Sequence, residues 1–99
     1  MKNVNFGMKK IGDGNPCFIT FEAGPTHNGF ESAKTLIKLA AETGADAIKF
    51  QIVDPDRLVA DKKQPFSYGV LIDKDTGEME TVTEPLYDIL KRRALNNEE

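Results

Sequence analysis

Cys17-Phe18-Ile19-Thr20-Phe21 is apolar at nearly every position. A short run this rich in β-branched and aromatic residues predicts a strand covered on both faces. After it the period changes. Ala33, Leu36, Ile37, Ala40 and Ala41 recur at helical spacing, and Lys34, Thr35, Lys38 and Glu42 fall on the other side, so residues 31–43 read as an amphipathic helix. Gly44 stands at the expected C′ position, and Asn28, with Glu31 three residues on, is the candidate N-cap. "AIKFQ", residues 47–51, is a second compact strand. Strand, helix and strand within about 35 residues make a βαβ unit, which implies parallel strands and a right-handed crossover.

The flanks are less regular. "VNFGMKKIGDGNPCF" has a Gly-Asp-Gly-Asn turn between short mixed segments and predicts a small N-terminal hairpin. A polar loop follows the second strand, with Asp54 and Asp56 flanking Pro55 as plain loop residues. "DKDTGE" then separates two strand-like arms, Tyr68–Ile72 and Met79–Val82, and predicts a second hairpin. Its spacing does not fit a calcium loop: the glycine comes one position early and no glutamate closes the loop. "PLYDILKRRAL" reads as a helix opened by Pro85, and "NNEE" as the start of another.

Composition narrows the partners. The chain has 99 residues, 29% of them charged, and a formal net charge of −3 without a long basic run. That disfavours nucleic acid and anionic membranes as partners. No apolar run approaches a membrane span, and "MKNVNFGMKK" has no apolar stretch of the signal-peptide kind. A single cysteine, Cys17, allows neither an internal disulfide nor a cysteine zinc cluster. The expectation is a cytoplasmic protein.

Side chains alternate along strands, so Lys49 and Gln51 share one face of the second strand while Ile48 and Phe50 take the helix-facing side. Glu22 ends the first strand. In open α/β sheets and in β/α barrels, sites form at the carboxyl ends of parallel strands. "FEAGPTHNGF", residues 21–30, is therefore the rim of a candidate site, with Glu22 and the lone His27 as candidate ligand-facing groups. Blander roles compete. Lys49 and Glu22 can be a structural ion pair, Gln51 a satisfied core amide, and His27 an exposed or backbone-bonded turn residue. Glu22 and His27 as two metal ligands in one turn are a weak signal.

These residues resemble a known family. "FITFEAGPTHNGFESAKTLIKLAAETGADAIKFQ" is similar to the N-terminal segment of N-acetylneuraminate (sialic acid) synthases, which read E-[IA]-G-x-N-H-N-G, amphipathic helix, then G-A-D-[AV]-[VI]-K-F-Q. Glu22, Gly24, His27, Asn28, Gly29, Gly44-Ala45-Asp46 and Lys49-Phe50-Gln51 carry the match, and "PLYDILKRRALNNEE" resembles the entry into the family's next helix. The hairpin at 66–83 lies outside it. Pro25-Thr26 departs from the pattern where an Asn is usual.

The resemblance implies the first two strands and first helix of a (β/α)₈ TIM barrel, an architecture of about 250 residues. Residues 1–99 would then be the N-terminal portion of a longer protein, with the rest of the barrel and an antifreeze-like domain outside this sequence. It implies condensation of phosphoenolpyruvate with an N-acylated amino sugar of the N-acetylmannosamine type, giving a nine-carbon 2-keto-3-deoxy acid and phosphate. It also implies a homodimeric parent and a divalent metal, Mn²⁺ or Mg²⁺, whose ligands lie outside this segment. Carried over position by position, Glu22 becomes the catalytic group handling protons through water, Lys49 the phosphoenolpyruvate contact and Gln51 the amino-sugar contact. His27 and Asn28 become loop-shaping residues. The hairpin and Pro25-Thr26 point to a variant sugar such as a legionaminic or pseudaminic acid precursor, with the hairpin as lid or dimer contact. Two alternatives stand: a non-catalytic anion- or partner-binding α/β module, and another phosphoenolpyruvate-dependent synthase of keto-deoxy sugar acids. The 99 residues alone are expected to be inactive.

Overall fold

The structure, a computed structural model, describes residues 2–99. Three two-stranded sheets and three helices follow one another along the chain. Strands β1 (Val4–Phe6) and β2 (Lys9–Ile11) form the N-terminal hairpin. Its turn is Gly7-Met8, and the Gly-Asp-Gly-Asn segment lies after the second arm rather than between the two.

Strand β3 (Thr20–Gly24), helix α1 (Phe30–Glu42) and strand β4 (Ala47–Phe50) are the βαβ unit, with β3 and β4 parallel. The first strand starts later than its apolar run suggests. Ile19 makes its main-chain bonds to the α1–β4 loop: its N–H donates to Asp46 Oδ2 at 2.8 Å, and its carbonyl accepts from the Asp46 and Ala47 N–H groups. Nor is β3 covered on both faces. It has one neighbouring strand, and Ile19 and Phe21 stay exposed.

Helix α1 ends as its sequence predicts. Gly44, at φ +87, takes the left-handed C′ position, its N–H donates to Ala41 O, and the Ala45 N–H reaches back to Ala40 O. That pair of bonds is the Schellman closure, which favours a residue without Cβ at C′. At the other end the cap is Gly29, not Asn28, and no side chain caps it.

A short helix α2 (Pro55–Leu58) occupies what the sequence suggests is loop. Pro55 sits at its first position and Asp54 Oδ1 accepts from the Asp56 N–H at 3.1 Å, so a helix-start signal was present. Strands β5 (Pro65–Asp73) and β6 (Glu78–Pro85) form a long antiparallel hairpin that runs directly into helix α3 (Leu86–Arg93). The "DKDTGE" segment is the turn, in which Asp73 Oδ1 accepts from the Asp75 and Thr76 N–H groups.

Residues 97–98 are a turn. Asn96 Oδ1 accepts from the Glu98 and Glu99 N–H groups, and Glu99 Oε2 accepts from the Asn96 N–H. This is the reciprocal bonding of a capping box.

Among the described residues few apolar side chains are buried: Ala33 and Ala40 on α1, Pro55 on α2 and Ile89 on α3. Polar contacts hold much of the rest. Glu84 pairs with Arg92 through both carboxylate oxygens, and Tyr68 donates its hydroxyl to Glu84 Oε2 at 2.7 Å, tying the hairpin to α3. Asp56 accepts from Tyr87 at 2.7 Å and from Lys62 and Lys91 at 3.1 Å each, tying α2 to α3. Among the described residues no helix is long and apolar enough to cross a membrane.

Candidate functional site

The parallel register sets Glu22 directly opposite Lys49. Side chains at paired positions lie on one face, and here they meet: Glu22 Oε2 and Lys49 Nζ are 2.9 Å apart. The register then slips. A bulge between Glu22 and Gly24 pairs Gly24 with Phe50, and the Gln51 N–H donates to Gly24 O at 3.3 Å. A bulge of this kind bends its strand and re-aims the side chains beside it.

Gly24 has φ +54, a conformation that costs residues with a Cβ. A Cβ at Gly24 would sit 3.1 Å from Glu22 Oε1, 3.8 Å from Gln51 Cδ and 4.0 Å from its Nε2. The side chains of Glu22 and Gln51 thus both border Gly24. Carboxylate, ammonium and amide gather at the carboxyl ends of two adjacent parallel strands. The three residue types complement one another: a cation for an anionic group, an amide that donates and accepts, and a carboxylate able to accept a proton.

The cluster is open to solvent. The Glu22 and Lys49 side chains are 51% and 63% exposed. In such surroundings the ion pair stabilises by about 0–1 kcal/mol. Behind it, between α1 and the sheet, lies an apolar groove of about 290 Å³ lined by Phe21, Leu36, Leu39 and Ile48 among others.

His27 and Asn28 separate from one another. His27 is 3% exposed, and among the described residues it is the one buried polar side chain. Its Nδ1 accepts from the Gly29 N–H at 3.1 Å, and its ring meets Phe50 edge-on at 5.7 Å. Asn28 is exposed. Thr26, at the departure from the family pattern, bends the loop back by donating its N–H and hydroxyl to Ala23 O, at 3.1 and 2.7 Å.

No three or more His, Cys, Asp or Glu side chains gather to hold a metal among the described residues. Glu22 and His27 do not form a pair of ligands, because His27 turns inward while Glu22 engages Lys49. These residues do not make a metal centre by themselves.

Two acidic residues outside the cluster matter more than the sequence suggests. The Tyr87 hydroxyl, then Lys62 and Lys91, hold the Asp56 carboxyl far below the usual carboxylate range. Asp46 is held low by the Ile19 N–H and then by Lys9, 3.2 Å away, which links the N-terminal hairpin to the βαβ unit. Both are structural ties. Their signal, an Asp beside Pro or before a strand, carries no information about partners so distant in sequence.

No family model matches the chain, and no solved structure matches it. Curated proteins do. The chain is 37% identical over 94 residues to N,N'-diacetyllegionaminic acid synthase of Legionella pneumophila, covering 94% of this chain and 24% of that protein. It is 44% identical over 76 residues to the spore coat polysaccharide biosynthesis protein SpsE of Bacillus subtilis, covering 76% and 20% respectively. Human N-acetylneuraminate-9-phosphate synthase is 48% identical over 42 residues, 41% of this chain and 12% of that protein. The chain spans at most about a quarter of the length of these relatives.

Proposed function

This chain is homologous to part of the sialic acid synthase family, and from that premise we propose that it is the N-terminal portion of a (β/α)₈ barrel that condenses phosphoenolpyruvate with an N-acylated amino sugar. The observation that carries the reading is the Glu22–Lys49 pair at 2.9 Å with Gln51 beside it, at the carboxyl ends of β3 and β4.

Carbon 3 of phosphoenolpyruvate forms the new bond to the sugar's aldehyde carbon, and the aldehyde oxygen gains a proton. Water adds to carbon 2 and gives up both protons, one in balance with the new hydroxyl and the other to the phosphate, whose bond from carbon 2 to oxygen breaks as the 2-keto-3-deoxy acid forms. Lys49 grips the carboxylate or phosphate of phosphoenolpyruvate. Its exposed pairing with Glu22 is weak enough for a multiply charged anion to displace. That exchange releases the Glu22 carboxylate to orient water and take up its proton. Gln51 reads amide and hydroxyl groups of the sugar. A divalent metal, Mn²⁺ or Mg²⁺, would supply Lewis-acid polarisation of the aldehyde when bound, and its ligands are assigned to residues outside this chain.

The test is phosphate release by the intact protein with phosphoenolpyruvate and a panel of N-acyl amino sugars, including N-acetylmannosamine and legionaminic- and pseudaminic-type precursors. The expected result is release with at least one unphosphorylated sugar, lost in Lys49→Met. Release with none of them, or release that requires a sugar phosphate, overturns the reading.

A further inference from the structure

Histidine is a poor choice for filling space. Burying an imidazole carries a desolvation penalty unless its polar atoms find partners, so an apolar side chain would fill the same volume at less cost. Yet His27 is 3% exposed in an open structure that leaves Phe21, Ile37 and Leu39 in solvent. Its contacts explain the choice. Nδ1 accepts from the Gly29 N–H at 3.1 Å, and an accepting nitrogen carries no proton, so the network assigns the ring proton to Nε2. Gly29 is the N-cap of α1 and has no side chain to satisfy the helix end. The ring also meets Phe50 edge-on, with centroids 5.7 Å apart and planes at 71°.

Phe50 lies between Lys49 and Gln51 in sequence, and strand alternation aims its side chain the opposite way from theirs. The loop reaches the same place by its main chain. The Gln51 N–H donates to Gly24 O, and Gly24 is two residues past Glu22. Contacts therefore run from α1 through Gly29 and His27 to Phe50, and from Gln51 through Gly24 back to Glu22. We propose that His27 is a positioning residue: its Nδ1 and its ring edge clamp the loop of residues 24–29 between α1 and β4, and so hold Glu22 against Lys49 and Gln51. The importance of this for turnover rests on the synthase reading; the clamp itself does not.

The test compares His27→Asn, whose side-chain oxygen can stand where Nδ1 stands, with His27→Phe, which keeps a ring against Phe50 but has no acceptor. In the intact protein two quantities are read: amide hydrogen exchange at Gly29 and Gln51, and kcat and KM for phosphoenolpyruvate. In His27→Phe, both amides should exchange about tenfold faster, the size expected for one lost buried hydrogen bond, and KM should rise several-fold. His27→Asn should restore protection at Gly29 and most of KM. If His27→Phe does not fold, His27→Gln, whose amide reaches the Nε2 position instead, takes its place with the same expectation. Unchanged exchange at Gln51, or faster exchange with kcat and KM unmoved, overturns the proposal. If the wild-type protein releases no phosphate while His27→Phe exchanges faster at both amides, the synthase reading falls and the clamp stands.

Discussion

Glu22 and Lys49 face each other across two parallel strands, and half or more of each side chain is in water. An exposed pair of this kind adds little to stability, so its removal separates function from folding. In the intact protein Glu22→Gln is expected to lower kcat for phosphate release by about 10²-fold, the low end for a lost acid–base group. Urea unfolding should move by less than about 1 kcal/mol. Gly24→Ala should lower both activity and stability. It imposes a left-handed alanine, costing about 1–2 kcal/mol, and it also presses its Cβ on Glu22 Oε1. Urea unfolding should show the loss, and activity should fall with it. Much of this cluster was legible in the sequence, because period-two alternation fixes which strand residues share a face. The bulge that brings Gln51 to Gly24 was not, since one slipped position leaves no mark on the apolar pattern. The burial of His27 was equally hidden: it depends on Phe50, which only the fold brings near.

Among the elements, α1 and the β5–β6 hairpin were readable, one from its period and C′ glycine, the other from its turn residues. Helix α2 was missed although Asp54 and Pro55 announce its start, because four residues are too few to show a period. What joins the elements is largely carboxylate chemistry, and this gives a pH prediction. Asp56 is held far below its ordinary range by Tyr87, Lys62 and Lys91, Glu84 is lowered by Arg92 and then Tyr68, and Asp46 and Asp73 are lowered chiefly by backbone N–H groups. A carboxyl lowered on folding stabilises the fold above its unfolded value, about 3.9 for Asp and 4.3 for Glu. That contribution is lost as pH falls through the folded value. Thermal melts should be nearly flat from pH 7 to about 5 as far as these groups decide it, and fall below about pH 4. Asp56→Asn should flatten the acid limb more than Asp73→Asn, because its lowering is the largest. An equal acid limb in both variants would remove Asp56 as the dominant tie.

The whole molecule is extended. Its radius of gyration is 17.8 Å, against about 13 Å for a compact chain of this length. Phe6, Ile19, Phe21, Ile52, Leu58, Phe66, Leu71, Ile72 and Met79 are among the large apolar side chains left exposed, and β3 and β4 each keep an unpaired edge. Open edges and apolar surface together favour association. Prepared as these 99 residues alone, the chain should elute as oligomers by size-exclusion chromatography with light scattering. A monodisperse monomer with sharp, dispersed amide resonances would contradict this. The α/β character was legible at this scale because strand, helix and strand follow one another within a short span. The sparseness of the core was not, because composition counts apolar residues without saying which of them find partners.

The long hairpin leaves and returns at one point. Pro65 pairs with Pro85, and the Leu86 N–H donates to Gln64 O at 3.0 Å, so the two strands close at their base like the neck of a purse. The ties to α3, Tyr68 and Glu84 with Arg92, lie away from the distal turn at residues 74–77. That turn therefore offers a natural port for grafting: a reporter, an epitope or another protein's loop could be spliced between Asp73 and Glu78 while the base of the hairpin and the Glu22–Lys49 face keep their shape.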